Sequence, residues 1–156
     1  MKRYYIAYGS NINIWRMRSR CPNAEVLGTA TLKGWELLFK KSKTGAYLTI
    51  EENPGSTVPS VIWSVTAEDE AMLDRCEGFP VWYYKRRLKV QYKGIATGKL
   101  RTVKGFAYIM HEEREYGIPS ERYMDICITG YRTFEFDRRP LYEARRESIR
   151  RLWRGM

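Results

Sequence analysis

Tyr8-Gly9-Ser10-Asn11 follows a short apolar run, and Asp74-Arg75-Cys76-Glu77-Gly78 comes about 65 residues later. The first segment combines the three residue types best able to turn a backbone and leave its N–H groups unpaired. A turn of this kind can hold an oxyanion or a carboxylate. The second segment supplies one carboxylate, Glu77, where a helix stops at a glycine. There it faces the negative end of the helix macrodipole, which disfavours the charged form and raises its pKa. The apolar run Gly78-Phe79-Pro80-Val81-Trp82 is expected to desolvate the same carboxyl and push it the same way. An anion cradle and one poised carboxylate form a minimal kit for acyl-transfer chemistry without a metal. Taken singly, the two segments also read as an ordinary turn and an ordinary helix end.

Other chemistries have less to build on. Cys21, Cys76 and Cys127 form no CxxC pair, so they make neither a disulfide framework nor a zinc site. His111 is the chain's single histidine, which rules out a multi-histidine metal centre. It lies in the polar stretch Glu112-Glu113-Arg114-Glu115 and reads as solvated. Cys76 adjoins Glu77 at a helical core spacing and reads as packing. Asp74, one turn before Glu77, is placed to orient the loop or the glutamate, although a solvated helix face explains it equally. No metal and no cofactor are expected.

The elements that must position these groups are legible in outline. Residues 3–8 read as a strand, rich in aromatic and β-branched types. A short helix over 14–20 ends at Cys21-Pro22. Residues 25–32 and 35–40 read as two strands around a Lys33-Gly34 hairpin signal, and 46–51 and 58–65 as two more. Thr66-Ala67-Glu68-Asp69 resembles a capping box and opens a helix over 67–76, with Ala71, Met72 and Leu73 inward. Residues 85–92 and 100–110 look like long antiparallel strands across a Gly94–Gly98 turn, and Ser120 caps a helix to about Thr133. Strands outnumber helices and neighbour each other in sequence. The expected class is therefore α+β, a largely antiparallel and strongly curved sheet flanked by helices.

At 156 residues, 44% of them hydrophobic, the chain reads as one packed domain. No apolar run approaches the roughly 18 residues that cross a bilayer. Met1-Lys2-Arg3 leads straight into a strand without the apolar core of a signal peptide, so a cytoplasmic protein with no membrane partner is expected. The net charge is +10, and Arg138, Arg139, Arg145, Arg146, Arg150, Arg151 and Arg154 crowd the last nineteen residues against Glu143 and Glu147. That segment reads as a helix over about 140–153, with Pro140 in its first turn and Leu141, Ala144, Ser148 and Leu152 on one face. The rest of its surface is arginine, either a solvated face or a contact for an anionic partner. Together with Trp82-Tyr83-Tyr84-Lys85-Arg86-Arg87, it keeps a single-stranded nucleic-acid-binding module open as a rival reading. The recognisable motifs of common nucleic-acid modules are absent, so nucleic acid is not the expected partner. The oligomeric state is not written in these features.

Tyr4-Tyr5-Ile6-Ala7-Tyr8-Gly9-Ser10-Asn11 with Leu73-Asp74-x-x-Glu77-Gly78 closely resembles the γ-glutamyl cyclotransferase-like superfamily. The resemblance runs on through Tyr83-Tyr84-Lys85-Arg86-Arg87, Tyr108-Ile109-Met110 and Pro119-Ser120-Glu121-Arg122-Tyr123 to the helix containing Gly130. It implies a small β-barrel flanked by helices. It also implies attack of a γ-glutamyl substrate's α-amine on its own side-chain carbonyl, releasing 5-oxoproline and an amine. On this resemblance Glu77 is the proton shuttle, while Tyr8, Gly9, Ser10 and Asn11 bind the γ-glutamyl moiety. Gly9 then allows close approach, and any side chain there should obstruct the ligand. Tyr108 and Tyr123 match pocket tyrosines of the family, to hydrogen-bond the substrate carboxylate or leaving group. The expected partner is a small γ-glutamyl amide. A non-catalytic metabolite binder of the same fold remains the alternative.

Overall fold

The computed structural model describes residues 2–155. Five strands close into a barrel: β1 (Arg3–Ala7), β2 (Glu25–Lys41), β3 (Ala46–Val65), β4 (Tyr83–Gly94) and β5 (Leu100–Met110). Their order around it is β1-β3-β2-β4-β5. Every pairing is antiparallel except the closing seam, where β1 meets β5 in parallel at Tyr5 and Phe106. Four helices flank the barrel: α1 (Ile14–Arg20), α2 (Ala67–Glu77), α3 (Glu121–Thr133) and α4 (Arg139–Arg154). The expected curved, mostly antiparallel sheet is thus a closed one. No helix among the described residues is long and apolar enough to cross a membrane.

One expectation fails at β2 and β3. The four short strands read from the sequence are two long ones, 17 and 20 residues, forming a single hairpin that turns at Ser42–Gly45. Lys33-Gly34 is no hairpin turn. Register passes from Lys33 opposite Thr57 to Trp35 opposite Glu52, so Gly34 alone faces residues 53–56. Gly34 and Gly55 take positive φ (83° and 89°), which lets both strands bulge and continue. Turn-forming residues here bend the sheet so that it can close, and do not end its strands.

Helix caps fix where the site residues fall. Thr66 and Asp69 form the reciprocal capping box of α2, and Gly78 ends that helix in the left-handed region. The inward face of α2 is narrower than expected: Leu73 is buried, Met72 half-buried, and Ala71 and Cys76 are exposed. Asp69 and Leu73, one turn apart, are the buried stripe of this helix. Ser120 caps α3 by accepting from the Tyr123 N–H. In α4 the buried stripe is Leu141, Ala144 and Ser148, and the Phe39 N–H of β2 donates to Ser148 Oγ at 2.8 Å.

The chain after β1 is held by α3 at close quarters. A β-carbon added at Gly130 would lie 2.7 Å from the Asn13 nitrogen and 2.9 Å from the Ile12 carbonyl carbon. Neither backbone atom can yield without moving the turn. Gly130→Ala should therefore destabilise the fold by about 1–3 kcal/mol, the usual range for overpacking. Urea unfolding of the variant beside the wild type measures it, and an unchanged midpoint would contradict the contact.

Candidate active site

Between β1 and α1 the chain makes a 3-10 turn over Ser10–Ile12, in which Ile12 N–H bonds back to Gly9 O and Asn13 N–H to Ser10 O. The hydrogen bonds of this turn begin at Ile12, as a helix start dictates, so the N–H groups of Ser10 and Asn11 remain outside its ladder. Both residues line a cavity of about 430 Å³ at the barrel mouth. Asn11 itself is nearly fully enclosed. Its Nδ2 donates to Tyr5 OH (2.9 Å), its Oδ1 accepts from Arg20 (3.0 Å), and its carbonyl accepts from Trp63 Nε1 (3.1 Å). The Asn11 side chain therefore builds the wall. Ser10 is half-buried on the same lining.

Glu77, the last residue of α2, opens onto this cavity with 18% of its side chain exposed. Protein surrounds the remainder, and this burial raises its pKa to about 7, against a smaller opposing pull from Arg20 and then Arg16. Arg20 Nη1 stands 4.0 Å from Glu77 Oε1. The apolar run after Gly78 contributes less than expected. Phe79, Pro80 and Val81 are exposed, and only Trp82 reaches the cavity. Desolvation comes instead from the barrel mouth. His111, expected free in solvent, is half-buried: its Nε2 bonds Pro80 O at 2.8 Å and its N–H donates to Trp82 O. Arg114 lies 3.9 Å over the Trp82 ring. These two side chains clamp the segment following Gly78.

Tyrosines make much of the remaining wall. Tyr8 OH donates to Tyr108 O, and Tyr83 OH donates to Leu48 O at 2.9 Å. The Leu48 N–H donates to Tyr123 OH at 3.2 Å. Burial, and the nearby Glu77 charge, hold Tyr8 and Tyr83 well above the usual phenol range, so both remain neutral donors. Tyr108 borders the cavity, but its hydroxyl donates to Asp74 Oδ1 at 2.6 Å. Lys85 bridges Asp74 and Glu70 beside it. Asp74 thus orients Tyr108, and neither the loop nor Glu77. Gly9 has φ −118°, and an added β-carbon would meet Leu48 Cβ at 3.4 Å and Tyr123 OH at 3.5 Å, ordinary contacts. Its lack of a side chain leaves space on the cavity wall.

All seven singled-out residues, Tyr8, Gly9, Ser10, Asn11, Glu77, Tyr108 and Tyr123, border this one cavity. Of Phe79, Trp82, Tyr83 and Tyr84, read from the sequence as able to line the wall facing the leaving group, Trp82 and Tyr83 border the cavity; Tyr5, Arg16 and Arg20 border it too and were not singled out. The available signal was Arg16 and Arg20 at i, i+4 on the helix that follows the loop, one face turned to one place. Among the described residues no group of three or more His, Cys, Asp or Glu side chains is arranged to hold a metal ion.

Residues 5–125 match the family model described as gamma-glutamyl cyclotransferase, AIG2-like. The chain belongs to this family. It is 31% identical to the gamma-glutamylcyclotransferase of Homo sapiens over 133 residues, 81% of this chain and 68% of that one. The mouse (Mus musculus) gamma-glutamylcyclotransferase is 29% identical over the same shares. A solved structure of a gamma-glutamyl cyclotransferase superposes with a TM-score of 0.75 at 29% identity, covering 86% of this chain and 81% of that chain. Family member and fold thus agree over the barrel and the cavity at its mouth.

The raised Glu77 pKa carries a stability consequence. Below the ordinary value of 4.5 the carboxyl is protonated in both folded and unfolded chains and contributes nothing. As pH rises toward about 7 the unfolded chain ionises first, so stability falls. Above that the full penalty stands, on the order of 3 kcal/mol. Glu77→Gln should therefore be more stable than the wild type at pH 8, with the gap closing by pH 4.5. Denaturant melts across that range test it, and a constant gap would mean that the carboxyl is not desolvated.

Proposed function

We propose that the protein converts γ-glutamyl amides to 5-oxoproline and a free amine, with Glu77 carrying the protons. An enzyme of the γ-glutamylcyclotransferase type is what the family and the fold support. The observation that carries the assignment of roles is a single desolvated carboxylate sharing one cavity with a turn whose N–H groups lie outside its own ladder. The substrate brings both nucleophile and electrophile. What the protein supplies is a folded substrate conformer, which is proximity catalysis, and a base matched to neutral pH.

Ionised Glu77 takes a proton from the α-ammonium group, exposing the nitrogen lone pair. That nitrogen attacks the γ-carbonyl carbon and closes a five-membered ring. The Ser10 and Asn11 N–H groups support the oxygen as negative charge gathers on it. Glu77 passes protons to the departing nitrogen, and the carbon–nitrogen amide bond breaks. Over the cycle the attacking nitrogen loses two protons and the leaving nitrogen gains two, so Glu77 ends as it began. Neutral Tyr8, Tyr83 and Tyr123 keep the cavity polar without competing for these protons.

The nucleic-acid reading has less support, because its aromatic-basic stretch is engaged elsewhere. Tyr83 is buried, Lys85 is paired with Glu70 and Asp74, and Arg86 with Glu52.

Three outcomes test the proposal. Glu77→Gln should lower 5-oxoproline formation from a γ-glutamyl amide panel by 10²–10⁴-fold, the usual share of a general base. Wild-type kcat/KM should fall about tenfold per pH unit below pH 7, the limb set by the base. A Glu77→Gln enzyme that retains full turnover would sink the assignment. Gly9→Ala should still fold but lose roughly ten- to a hundredfold in kcat/KM, since its methyl takes up substrate space. Loss of stability without loss of turnover would show the opposite, a purely structural glycine.

A further inference from the structure

We propose that the cleft between β2 and β4 binds an extended acidic segment of another protein, which adds to the open margin of β4 as a further strand. This surface is separate from the cavity at the barrel mouth.

The two strands meet over a short distance only. They pair at Gly28 with Gly94, Thr29 with Lys93 and Ala30 with Tyr92, and no further. The crossing is close because Gly28 has no side chain: an added β-carbon would lie 2.1 Å from the Lys93 carbonyl oxygen. Beyond Ala30 the strands diverge around a cavity of about 580 Å³. Thr31, Leu32 and Lys33 line it from β2, and Leu88, Lys89 and Gln91 from β4. Further along, Arg86 bridges back to β2, its guanidinium 5.0 Å over the Trp35 ring. Between the crossing and this bridge β4 is paired with β5 along one margin and with no strand along the other. α4 lies against β2, and among the described residues the backbone of Leu88–Gln91 bonds only to β5. An open margin of this kind is a template for an added strand of about four or five residues.

The side chains along the cleft alternate. Val90 is buried and Leu88 half-buried, whereas Lys89, Gln91 and Lys93 are exposed. Buried Leu32 and exposed Lys33 repeat the pattern on β2. A strand laid here therefore sets every second residue toward apolar surface and the residues between toward cations. No carboxylate lines the cavity. The whole hairpin from Tyr83 to Met110 contains no Asp or Glu, and Lys89 stands directly opposite Lys104, an unfavourable pair of like charges. An acidic occupant relieves both.

Other occupants fit less well. A second copy of this chain carries a net charge of +10 and the same lysines on the same margin, so it is repelled. Single-stranded nucleic acid finds one half-buried ring to stack on, Phe136, because Trp35 and Tyr92 are buried.

The test follows the fluorescence anisotropy of a labelled, end-blocked peptide of alternating valine and glutamate as the full chain is added. The wild type should bind it saturably. Lys89→Glu with Lys93→Glu should weaken binding by roughly tenfold or more, as reversing charges at an interface does. Two further peptides carry N-methyl groups on alternate residues, one series on each margin, with charges and side chains kept. At least one series should lose binding, because the methyl groups remove the main-chain donors that face β4. Amide shifts on binding of the parent peptide should centre on Leu88–Gln91. If both methylated series bind as the parent does, or if oligo-thymidylate displaces the parent and binds as tightly, cations alone are at work and strand addition is overturned. Absence of saturable binding up to about 1 mM overturns it too. The methylated pair is read on the wild type, so it decides the matter even where the lysine variants fail to fold.

Discussion

An enclosed turn whose first main-chain donors lie outside its own hydrogen-bond ladder must satisfy its other polar atoms elsewhere, and Asn11 does this for the turn after β1. Its amide and carbonyl meet Tyr5 of β1, Arg20 of α1 and Trp63 of β3. The two elements that flank the turn and a strand some fifty residues on are thereby referred to one residue. The consequence reaches both ways. The turn is rigid enough to present N–H groups in a set direction, and Arg20 is held where it can influence Glu77. Gly130 completes the arrangement from the other side, because only a residue without a β-carbon lets α3 approach the Ile12–Asn13 backbone so closely.

Against that rigid wall Glu77 occupies a position that folding alone would not favour. A carboxylate at the C-terminal end of a helix, largely enclosed by protein, is destabilised twice over, by lost hydration and by the helix dipole. The neighbouring network limits the damage without removing it. Arg20 is close enough to moderate the raised pKa, yet at 4.0 Å and bonded to Asn11 it does not neutralise the group. By contrast Asp74, three residues earlier, is tightly engaged by Tyr108 and Lys85. Two carboxylates on one helix thus divide into a supported one and a poised one.

Much of this was legible from residue types at fixed offsets. The Thr66–Asp69 capping box, the Ser120 cap and the Gly78 stop each rest on local chemistry that the surrounding fold does not override. The same locality explains the errors. Gly34 and the Asn53-Pro54-Gly55 stretch carry turn chemistry, and whether a turn ends a strand or bulges it depends on partners far along the chain. Phe79 and Val81 read as a shield for Glu77 because they are apolar neighbours in sequence, but the Pro80 carbonyl is tied to His111 and the pair faces outward. Arg16 and Arg20 carried no motif. An arginine on a short amphipathic helix is usually solvated, and only the closure of the barrel turns this pair toward a cavity.

The contact between α4 and β2 has a consequence beyond the site. α4 lies outside the residues that match the family model, yet through Ser148 it occupies the Phe39 N–H, while Gly117 donates to the Phe39 carbonyl. A strand margin with both groups vacant is a template on which another chain's strand can add, and that is how folded proteins begin to aggregate. The arginine-rich outer face of α4 adds mutual repulsion to this shielding. The C-terminal helix in this sense covers a margin of β2 that would otherwise lie open, a role distinct from any chemistry at the mouth.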